Sequence, residues 1–356
     1  MSFDFIPLHF YTPLYYHLLL IVTLATFLQL QRRNLKQSNF GFVLLLFIVF
    51  YMGLRPISGR YFGDMATYNR YFEYYQAGNT ILVTKDLLFH YFMQACSKIM
   101  SAHTFFLTCA ILYIVPLYIV SKKWFKEYWF YAFLMLAGSF SFWAYGTNGV
   151  RNGIASSIFL LAISRDKKIF QAPWFILAVG FHTTMLLPTL GWVMTWFYNV
   201  PRSYFYFWLA VIPLSLALPG FWQNLFASMV EDDRAIYFTD DAYADSFSST
   251  GFRWDFLLYS SMGVFVGWYC IFKKRIQDKV YIQLFNTFLF ANAFWILVVQ
   301  ASFSNRFAYL SWFMMALVIV YPFLRQHFVR NQARKLAWII LLYFVFTYFM
   351  NVIVYG

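Results

Sequence analysis

Two arginines are the residues whose type and position most clearly suggest chemistry. Arg151 follows closely on Asn148, and Arg306 follows directly on Asn305, each at the end of a long apolar stretch. An ionisable side chain in such a place is costly and indicates function. Because a guanidinium is always charged and offers a planar fork of donors, two that converge suit a phosphate or a pyrophosphate. The sequence therefore predicts an anionic ligand.

A structural role for these arginines is the alternative. A long basic side chain at the end of an apolar segment can extend its charged head to the membrane surface. It can also pair with a carboxylate, such as Asp64 or Asp255. The sequence leaves both explanations open for each arginine taken alone.

One histidine and one aspartate are candidates for proton transfer. His182 precedes two threonines, and histidine exchanges a proton near neutral pH, so it is a candidate general base; a structural hydrogen bond is the alternative. Asp64 follows Gly63 and precedes Tyr68 by four residues. Its carboxylate can activate a hydroxyl or stabilise a developing sugar cation, or it can cap the following helix.

The sequence predicts no metal and no cofactor. Its histidines show no ligand spacing, and the three cysteines, Cys96, Cys109 and Cys270, lie far apart without a CxxC pair. A glycine-rich phosphate loop is also missing from the sequence, which argues against a nucleotide as donor.

Composition places these residues in a membrane protein. Of 356 residues, 62% are hydrophobic and 12% are charged, whereas soluble domains carry about 25% charged residues. The net charge of +13 is distributed in short runs between apolar stretches. This is the positive-inside pattern of a membrane protein and not a nucleic-acid-binding face. The runs are Arg32, Arg33 and Lys36; Lys122, Lys123 and Lys126; Arg165, Lys167 and Lys168; Lys273, Lys274, Arg275 and Lys279; Arg325, Arg330, Arg334 and Lys335.

Apolar segments of about 17–25 residues predict an all-α integral membrane protein with about 12 transmembrane helices in a single polytopic domain, 1–356. The three spans from 150 to 199 are short and contain Gly, Pro and polar residues. Alternation across the membrane puts the basic runs inside and two loops, about 55–102 and 220–253, outside, with an interfacial helix from Asp86 to Met100. The predicted spans are 13–31, 39–54, 103–121, 128–145, 150–164, 171–184, 185–199, 203–219, 254–272, 280–302, 305–324 and 336–354.

In their order and common outer side, these motifs resemble the EpsG family of membrane polysaccharide polymerases, related in role to the Wzy polymerases of O-antigen and capsule assembly. The resemblance covers about residues 15 to 350. It is carried by Gly63-Asp64 with Tyr68, by Asn148-Gly149-Val150-Arg151-Asn152-Gly153, by Phe181-His182 with Thr183 and Thr184, and by Asn305-Arg306-Phe307 with Tyr309.

The resemblance implies a GT-C-like glycosyltransferase that joins undecaprenyl-pyrophosphate-linked repeat units at the outer face of the bacterial inner membrane, without a nucleotide sugar or another cofactor. Its partners would be the lipid-linked glycans, the lipid bilayer, and a chain-length regulator and flippase of the same pathway; no nucleic acid is expected.

On this hypothesis Arg151 and Arg306 bind the pyrophosphate and stabilise the charge that it gains on leaving. Either His182 or Asp64 removes the proton of the acceptor hydroxyl. Arg60 is a further candidate for contacting the lipid-linked anion or the glycan, and the secondary candidates are Asn148, Asn305 and Tyr68.

Other membrane functions compete with this one. A transporter or flippase of lipid-linked glycans would also need many helices and outer arginines, although transporters usually show inverted repeats. A membrane acyltransferase acting on the same glycans, a glycosyltransferase using a lipid-phosphate sugar, and a membrane scaffold are the remaining alternatives. A crowding of ionisable residues toward one face favours a catalytic site at one interface.

Overall fold

The chain is predominantly helical in the part that the computed structural model describes, which comprises residues 3–32, 35, 40–227, 251–301 and 305–354. No β-strand occurs in those residues, so the predicted all-α class is confirmed. The helices are α1 Leu8–Arg32, α2 Phe40–Gly53, α3 Gly59–Phe62, α4 Met65–Gln76, α5 Leu87–Ser97, α6 Ala102–Phe125, α7 Trp129–Ala137, α8 Phe140–Thr147, α9 Val150–Ile163, α10 Lys168–Phe181, α11 Leu186–Met194, α12 Pro201–Ala217, α13 Pro219–Ala227, α14 Trp254–Trp268, α15 Lys279–Leu297, α16 Asn305–Arg325 and α17 Gln332–Tyr348.

The protein is a multi-pass membrane protein. Within the described residues, six helical segments are long and apolar enough to cross a bilayer, and four shorter helices are also apolar. The three spans predicted to be short are short: α9 and α10 have 14 residues each and α11 has nine. The total of about twelve spans and the GT-C-like architecture stay predictions. The long segments are Leu8–Arg32, Ala102–Ala137, Trp254–Lys273, Lys279–Leu297, Arg306–Arg325 and Gln332–Val354.

The chain forms two compact units. The first comprises Met1–Leu186 with Phe323–Gly356, and the second comprises Leu187–Pro322. The expectation of a single membrane domain therefore stays a prediction.

In the first unit, α9 and α10 form a pair joined by a short turn and packed side by side. Arg151 lies in the first turn of α9, and His182 follows the last residue of α10. Because the two helices are joined by a turn, these residues lie at the same end of the pair. The other end carries Arg165, Lys167 and Lys168.

Contacts between basic side chains and neighbouring segments gather several predicted basic runs at that second end. Lys123 Nζ lies 3.1 Å from Asp166 Oδ2, and Arg325 Nη1 donates to the Trp124 carbonyl at 3.2 Å. The runs that follow α6, α9 and α16 thus share one end of the first unit, as the positive-inside prediction requires. Arg33 and Lys36 of the first run lie outside the described residues.

The second unit is held together by buried amides between its helices. Asn292 on α15 accepts a hydrogen bond from Trp208 Nε1 at 2.8 Å and donates to Ser260 Oγ and Ser311 Oγ, both at 3.0 Å. These bonds tie α12, α14 and α16 to α15. Hydrogen-bonding polar side chains are a common means of joining helices in lipid, where an unpaired polar group is costly.

The first predicted outer loop is itself helical. Residues 55–102 contain α3, α4 and α5, and α5 falls within the helix predicted from Asp86 to Met100. Its interfacial position stays a prediction. Most of the second predicted outer loop, 228–250, lies outside the described residues.

A charged cluster around Asp86 as the candidate active site

Asp86 is the residue on which the charged side chains of the first unit converge. It precedes α5 and adopts a left-handed backbone conformation, with φ 52° and ψ 38°. Few non-glycine residues adopt this conformation, although aspartate tolerates it better than most. Only 5% of Asp86 is exposed. A buried carboxylate on such a backbone is held there by its partners.

Three donors surround the Asp86 carboxylate. Arg151 Nη1 lies 2.8 Å from Oδ2, and the Thr183 backbone N–H donates to Oδ1 at 2.9 Å. His182 Nδ1 lies 3.1 Å from Oδ1 and 3.0 Å from Oδ2. The carboxylate therefore joins the first turn of α9 to the turn that follows α10.

These donors keep Asp86 ionised. Burial raises its pKa, but the hydrogen bond and charge of His182, the charge of Arg151 and the Thr183 amide together lower it to about 2. At neutral pH an ionised carboxylate only accepts hydrogen bonds, so His182 Nδ1 must be the donor in their contact. In the neutral imidazole, the lone pair then lies on Nε2.

Arg151 sits where a helix alone would disfavour it. A cation in the first turn of α9 faces the positive end of the helix dipole, and the Asp86 carboxylate compensates for this. Arg151 also donates through Nε to the Tyr68 hydroxyl at 3.3 Å, and its guanidinium lies 5.6 Å from the Tyr68 ring centre. Burying such a pair seldom adds stability, because desolvation offsets the attraction. Its presence near the end of a helix pair therefore favours a functional role.

The Asn148 side chain forms a hydrogen bond with the backbone of Asp64. The Asn148 side-chain oxygen accepts a hydrogen bond from the Asp64 N–H at 2.8 Å. Asp64 occupies the N-cap position of α4, but its side chain makes no capping hydrogen bond. Gly63 allows this approach: its φ is +54°, and an added Cβ would lie 2.5 Å from Asn148 Cγ.

Arg55 anchors the segment that leads into the site. It is 1% exposed, and its guanidinium donates to the carbonyls of Met52 and Thr147. The ring centres of Phe62 and Phe106 each lie 5.6 Å from its guanidinium carbon. Arg55 thus ties the start of the loop to the end of α8, beside Asn148.

His90 is a second buried histidine near the cluster. It lies one turn along α5 from Asp86, is 3% exposed, and its Nδ1 is 2.9 Å from the Tyr75 hydroxyl. Burial lowers the pKa of His90 to about 4, with a further lowering by the charge of Arg151 that Asp86 partly opposes. His90 is therefore neutral at neutral pH.

The structure brings together some of the predicted site residues. Arg151, His182 and Tyr68 meet around Asp86, and Asp64 and Asn148 form the adjoining contact. Thr184 links the two helices of the pair further, by donating to Asn152 Oδ1 at 3.2 Å. The carboxylate that pairs with Arg151 is Asp86, and not Asp64 or Asp255.

Other predicted residues lie elsewhere. Arg60 is exposed on α3, with its guanidinium 5.5 Å from the Tyr61 ring centre, and no contact in the described ranges joins it to Asp86. Arg306 is exposed in the first turn of α16, in the second unit. The Asn305 side chain lies outside the described part of the chain. The convergence of Arg306 with Arg151 stays a prediction.

Sequence reasoning did not assign Asp86 to the site. Its partners Arg151 and His182 are 65 and 96 residues away along the chain. In the sequence Asp86 is one of several acids in the first outer loop, placed where a helix begins. A single acid before an amphipathic helix can either mark the start of that helix or pair with a distant cation. The sequence alone does not distinguish these two roles.

No metal site accompanies the cluster. Among the residues that the structure describes, no group of three or more His, Cys, Asp or Glu side chains is arranged to hold a metal ion. The donors that could face an anionic ligand are those of Arg151, together with the imidazole of His182.

The fold and the cluster define an all-helical, multi-pass membrane protein with an arginine, a histidine and an aspartate gathered at one end of a helix pair. The family of such proteins to which the chain belongs is the EpsG family, the polysaccharide polymerase family, whose model matches residues 12–356. No curated protein and no solved structure matches the chain. The resemblance inferred from the sequence motifs is thereby confirmed.

Replacement of Gly63 by alanine should disrupt the contact between Asp64 and Asn148. The added methyl group meets the Asn148 amide and strains a backbone of positive φ, so we expect the melting temperature in detergent and the polymer yield both to fall. Gly78→Ala is the matched control, because Gly78 also has a positive φ, of +88°, but an added Cβ there meets nothing within 4 Å. Equal effects of the two substitutions would contradict the role of the Asn148 contact.

Acidification should destabilise the protein through His90. The unfolded chain takes up this proton at a pKa of about 6.5 and the folded chain at about 4. Between these values the unfolded state binds more protons, so the free energy of unfolding falls as the pH falls, by about 2 kcal/mol at pH 5. Thermal unfolding in detergent at pH 7.5 and pH 5 measures this. In His90→Gln the free energy of unfolding should fall less between pH 7.5 and pH 5. An equal fall in this variant would show that His90 is not the cause of the destabilisation.

Proposed function

We propose that the chain is a GT-C-type glycosyltransferase that polymerises undecaprenyl-pyrophosphate-linked oligosaccharide repeat units at the outer face of the bacterial inner membrane. Membership of the EpsG family supports the polymerase activity. The assignment of the active site rests on the contacts that Asp86 makes with both Arg151 and His182. These contacts place a fixed cation beside a candidate base, as transfer from a pyrophosphate requires.

In the proposed reaction, a hydroxyl oxygen of the incoming lipid-linked unit forms a bond to the anomeric carbon of the growing glycan. The bond between that carbon and the pyrophosphate oxygen breaks, and undecaprenyl pyrophosphate leaves with the electron pair. The proton of the attacking hydroxyl passes to a base. The protein therefore has to stabilise negative charge on the leaving group and remove one proton.

Arg151 is the proposed anion-binding residue. Its contacts with Asp86 and Tyr68 use Nη1 and Nε, and Nη2 makes no hydrogen bond within the residues that the structure describes. The pair with Asp86 fixes the guanidinium before the substrate arrives, which limits the reorganisation needed as charge develops. Arg306 is proposed as the second pyrophosphate ligand, with Arg60 and Asn305 as further contacts to the lipid-linked substrate.

His182 is the proposed general base. The ionised Asp86 holds Nδ1 as a donor, which puts the lone pair on Nε2 and stabilises the imidazolium that forms when the proton arrives. Asp86 thus acts as a positioning residue. Asp64 remains the alternative base, but the hydrogen bond that joins it to Asn148 is made by its backbone N–H, and no side-chain hydrogen bond within the described residues orients its carboxylate.

The orientation in the membrane rests on the two ends of the α9–α10 pair. Arg165, Lys167 and Lys168 mark one end and the Asp86 cluster marks the other. If the basic end faces the cytoplasm, as the positive-inside rule favours, the cluster faces the exterior. Lipid-linked repeat units, a chain-length regulator and a flippase of the same pathway are the proposed partners.

Arg151→Ala should abolish long-chain polysaccharide in cells that lack the native copy, because the leaving pyrophosphate loses its cation. Gel electrophoresis of the polysaccharide measures this, and single repeat units should accumulate on lipid. Arg151→Lys should also lose most activity, since an ammonium lacks the planar fork that reaches Tyr68 and Asp86 together.

The control for this substitution is Arg70→Ala. Arg70 is an exposed arginine of α4. Within the described residues its guanidinium hydrogen-bonds only to Thr67, so normal polymer is expected. Normal polymer from Arg151→Ala at normal protein levels would refute the assignment. Lipid-glycan flipping in proteoliposomes without chain growth would favour a flippase instead.

Asp86→Asn should lower the polymerisation rate by roughly 100-fold, the lower range for loss of positioned acid–base catalysis. The amide keeps the shape of the carboxylate but removes the charge that stabilises protonated His182. The acid limb of the residual activity–pH profile should therefore move to lower pH. The measurement uses purified protein and lipid-linked repeat units.

Glu73→Gln serves as the control for Asp86→Asn, because Glu73 is an exposed acid of α4. Its rate and pH profile should match those of the native protein. A residual Asp86→Asn activity with an unmoved acid limb would mean that Asp86 acts on structure alone and does not act through His182.

A further inference from the structure

A cavity of about 430 Å³ lies at the basic end of the first unit. It opens beside the turn between α9 and α10, at the end of the helix pair remote from Arg151 and His182. Since α9 has 14 residues, the two ends are separated by roughly 20 Å at 1.5 Å per residue. The cavity is therefore distinct from the Asp86 cluster, and the proposed polymerase reaction does not use it.

Cations predominate on one wall of the cavity. Lys123, Arg165 and Lys167 line it, and Asp166 is the one opposing carboxylate among its lining residues. Asp166 pairs with Lys123 at 3.1 Å, but its side chain is 87% exposed, so solvent screens that pair. Arg165 and Lys167 are left as a net positive pair facing the cavity. An anion is the ligand that this wall favours.

Arg165 carries an unsatisfied donor. Its Nε is buried and has no hydrogen-bond partner within the described residues, while its guanidinium lies 5.6 Å from the Trp174 ring centre. Its backbone carbonyl accepts from Gln171 Nε2 at 2.7 Å, which fixes the turn. A buried donor without an acceptor is costly, and the charge of this guanidinium beside the cavity favours an anionic ligand there.

The rest of the lining is apolar, and the helix that supplies it also carries exposed apolar side chains. Phe170, Pro173 and Trp174 of α10 line the cavity. Next to them on the same helix, Ile169 and Ile176 are each 74% exposed. Exposed isoleucines on a helix of a membrane protein are suited to contact acyl chains. The cavity thus joins a cationic wall to an apolar helix surface.

We propose that this cavity binds an anionic phospholipid, with its phosphate against Arg165 and Lys167 and its glycerol and upper acyl chain along Phe170 and Trp174. Charge complementarity selects the anionic headgroup. The apolar wall distinguishes a phospholipid from a free phosphate, which would leave the aromatic side chains unused. The bound lipid anchors the α9–α10 turn at the membrane surface.

The test measures lipid binding by the full-length protein purified in a zwitterionic detergent. Native mass spectrometry follows a titration with phosphatidylglycerol, with phosphatidylcholine of the same acyl chains, and with phosphatidylglycerol in the presence of excess inorganic phosphate. The variant is Arg165→Gln with Lys167→Gln. The control is Lys279→Gln with Lys335→Gln, which removes the same charge from exposed positions outside the cavity.

The native protein should prefer phosphatidylglycerol, and the cavity variant should bind it about 25-fold more weakly, at about fivefold for each cation removed. The control variant should bind as the native protein does. Equal loss in both variants, or equal binding of phosphatidylcholine, would overturn the proposal. Full competition by inorganic phosphate would assign the cavity to a soluble anion instead. Matching melting temperatures of the two variants establish that both are folded.

Discussion

The ionised carboxylate of Asp86 is the constraint on which the candidate site depends. It neutralises Arg151 at the positive end of α9, orients the His182 imidazole, and accepts the amide of Thr183. Each of these groups would be poorly placed without it, because a cation at a helix start and a half-buried imidazole both need a fixed acceptor. The left-handed backbone of Asp86 is part of the same arrangement, since it directs a buried acid between two helices.

The α9–α10 pair separates two kinds of charge. At one end, the buried Asp86 carboxylate is matched to Arg151 and His182. At the other end, Arg165 and Lys167 line a cavity together with the exposed Asp166. Two short helices joined by a tight turn are enough to separate the charges in this way. A charged side chain is costly within the lipid, so the residues between the two ends are mostly apolar. The pair thus connects the proposed reaction at one surface to a proposed lipid contact at the other.

Within the apolar segments, neutral polar groups join the helices. In the second unit the Asn292 amide joins three other helices through Trp208, Ser260 and Ser311. An amide satisfies several partners without the desolvation cost of a charge, so it can be fully buried. In the first unit, the charged Arg151 and the titratable His182 lie instead at the ends of α9 and α10.

Much of this protein was determined by the sequence alone. The excess of apolar residues predicted a helical membrane protein, the short apolar stretches predicted that α9 to α11 would be short, and the motifs around Arg151 and His182 indicated both the family and two members of the cluster. These features are local, since each depends on a residue and its near neighbours along the chain. The span count and the position of Arg306 relative to Arg151 stay predictions.

Only the tertiary structure decided that Asp86 is the partner of Arg151. An ion pair depends on which segments approach one another, and 65 residues separate these two along the chain. The sequence suggested Asp64 or Asp255 as partners for the arginines, and the packing of the segment before α5 against the α9–α10 pair selected Asp86 instead. The same packing brought Asn148 to the Asp64 backbone, where only a glycine at position 63 leaves room.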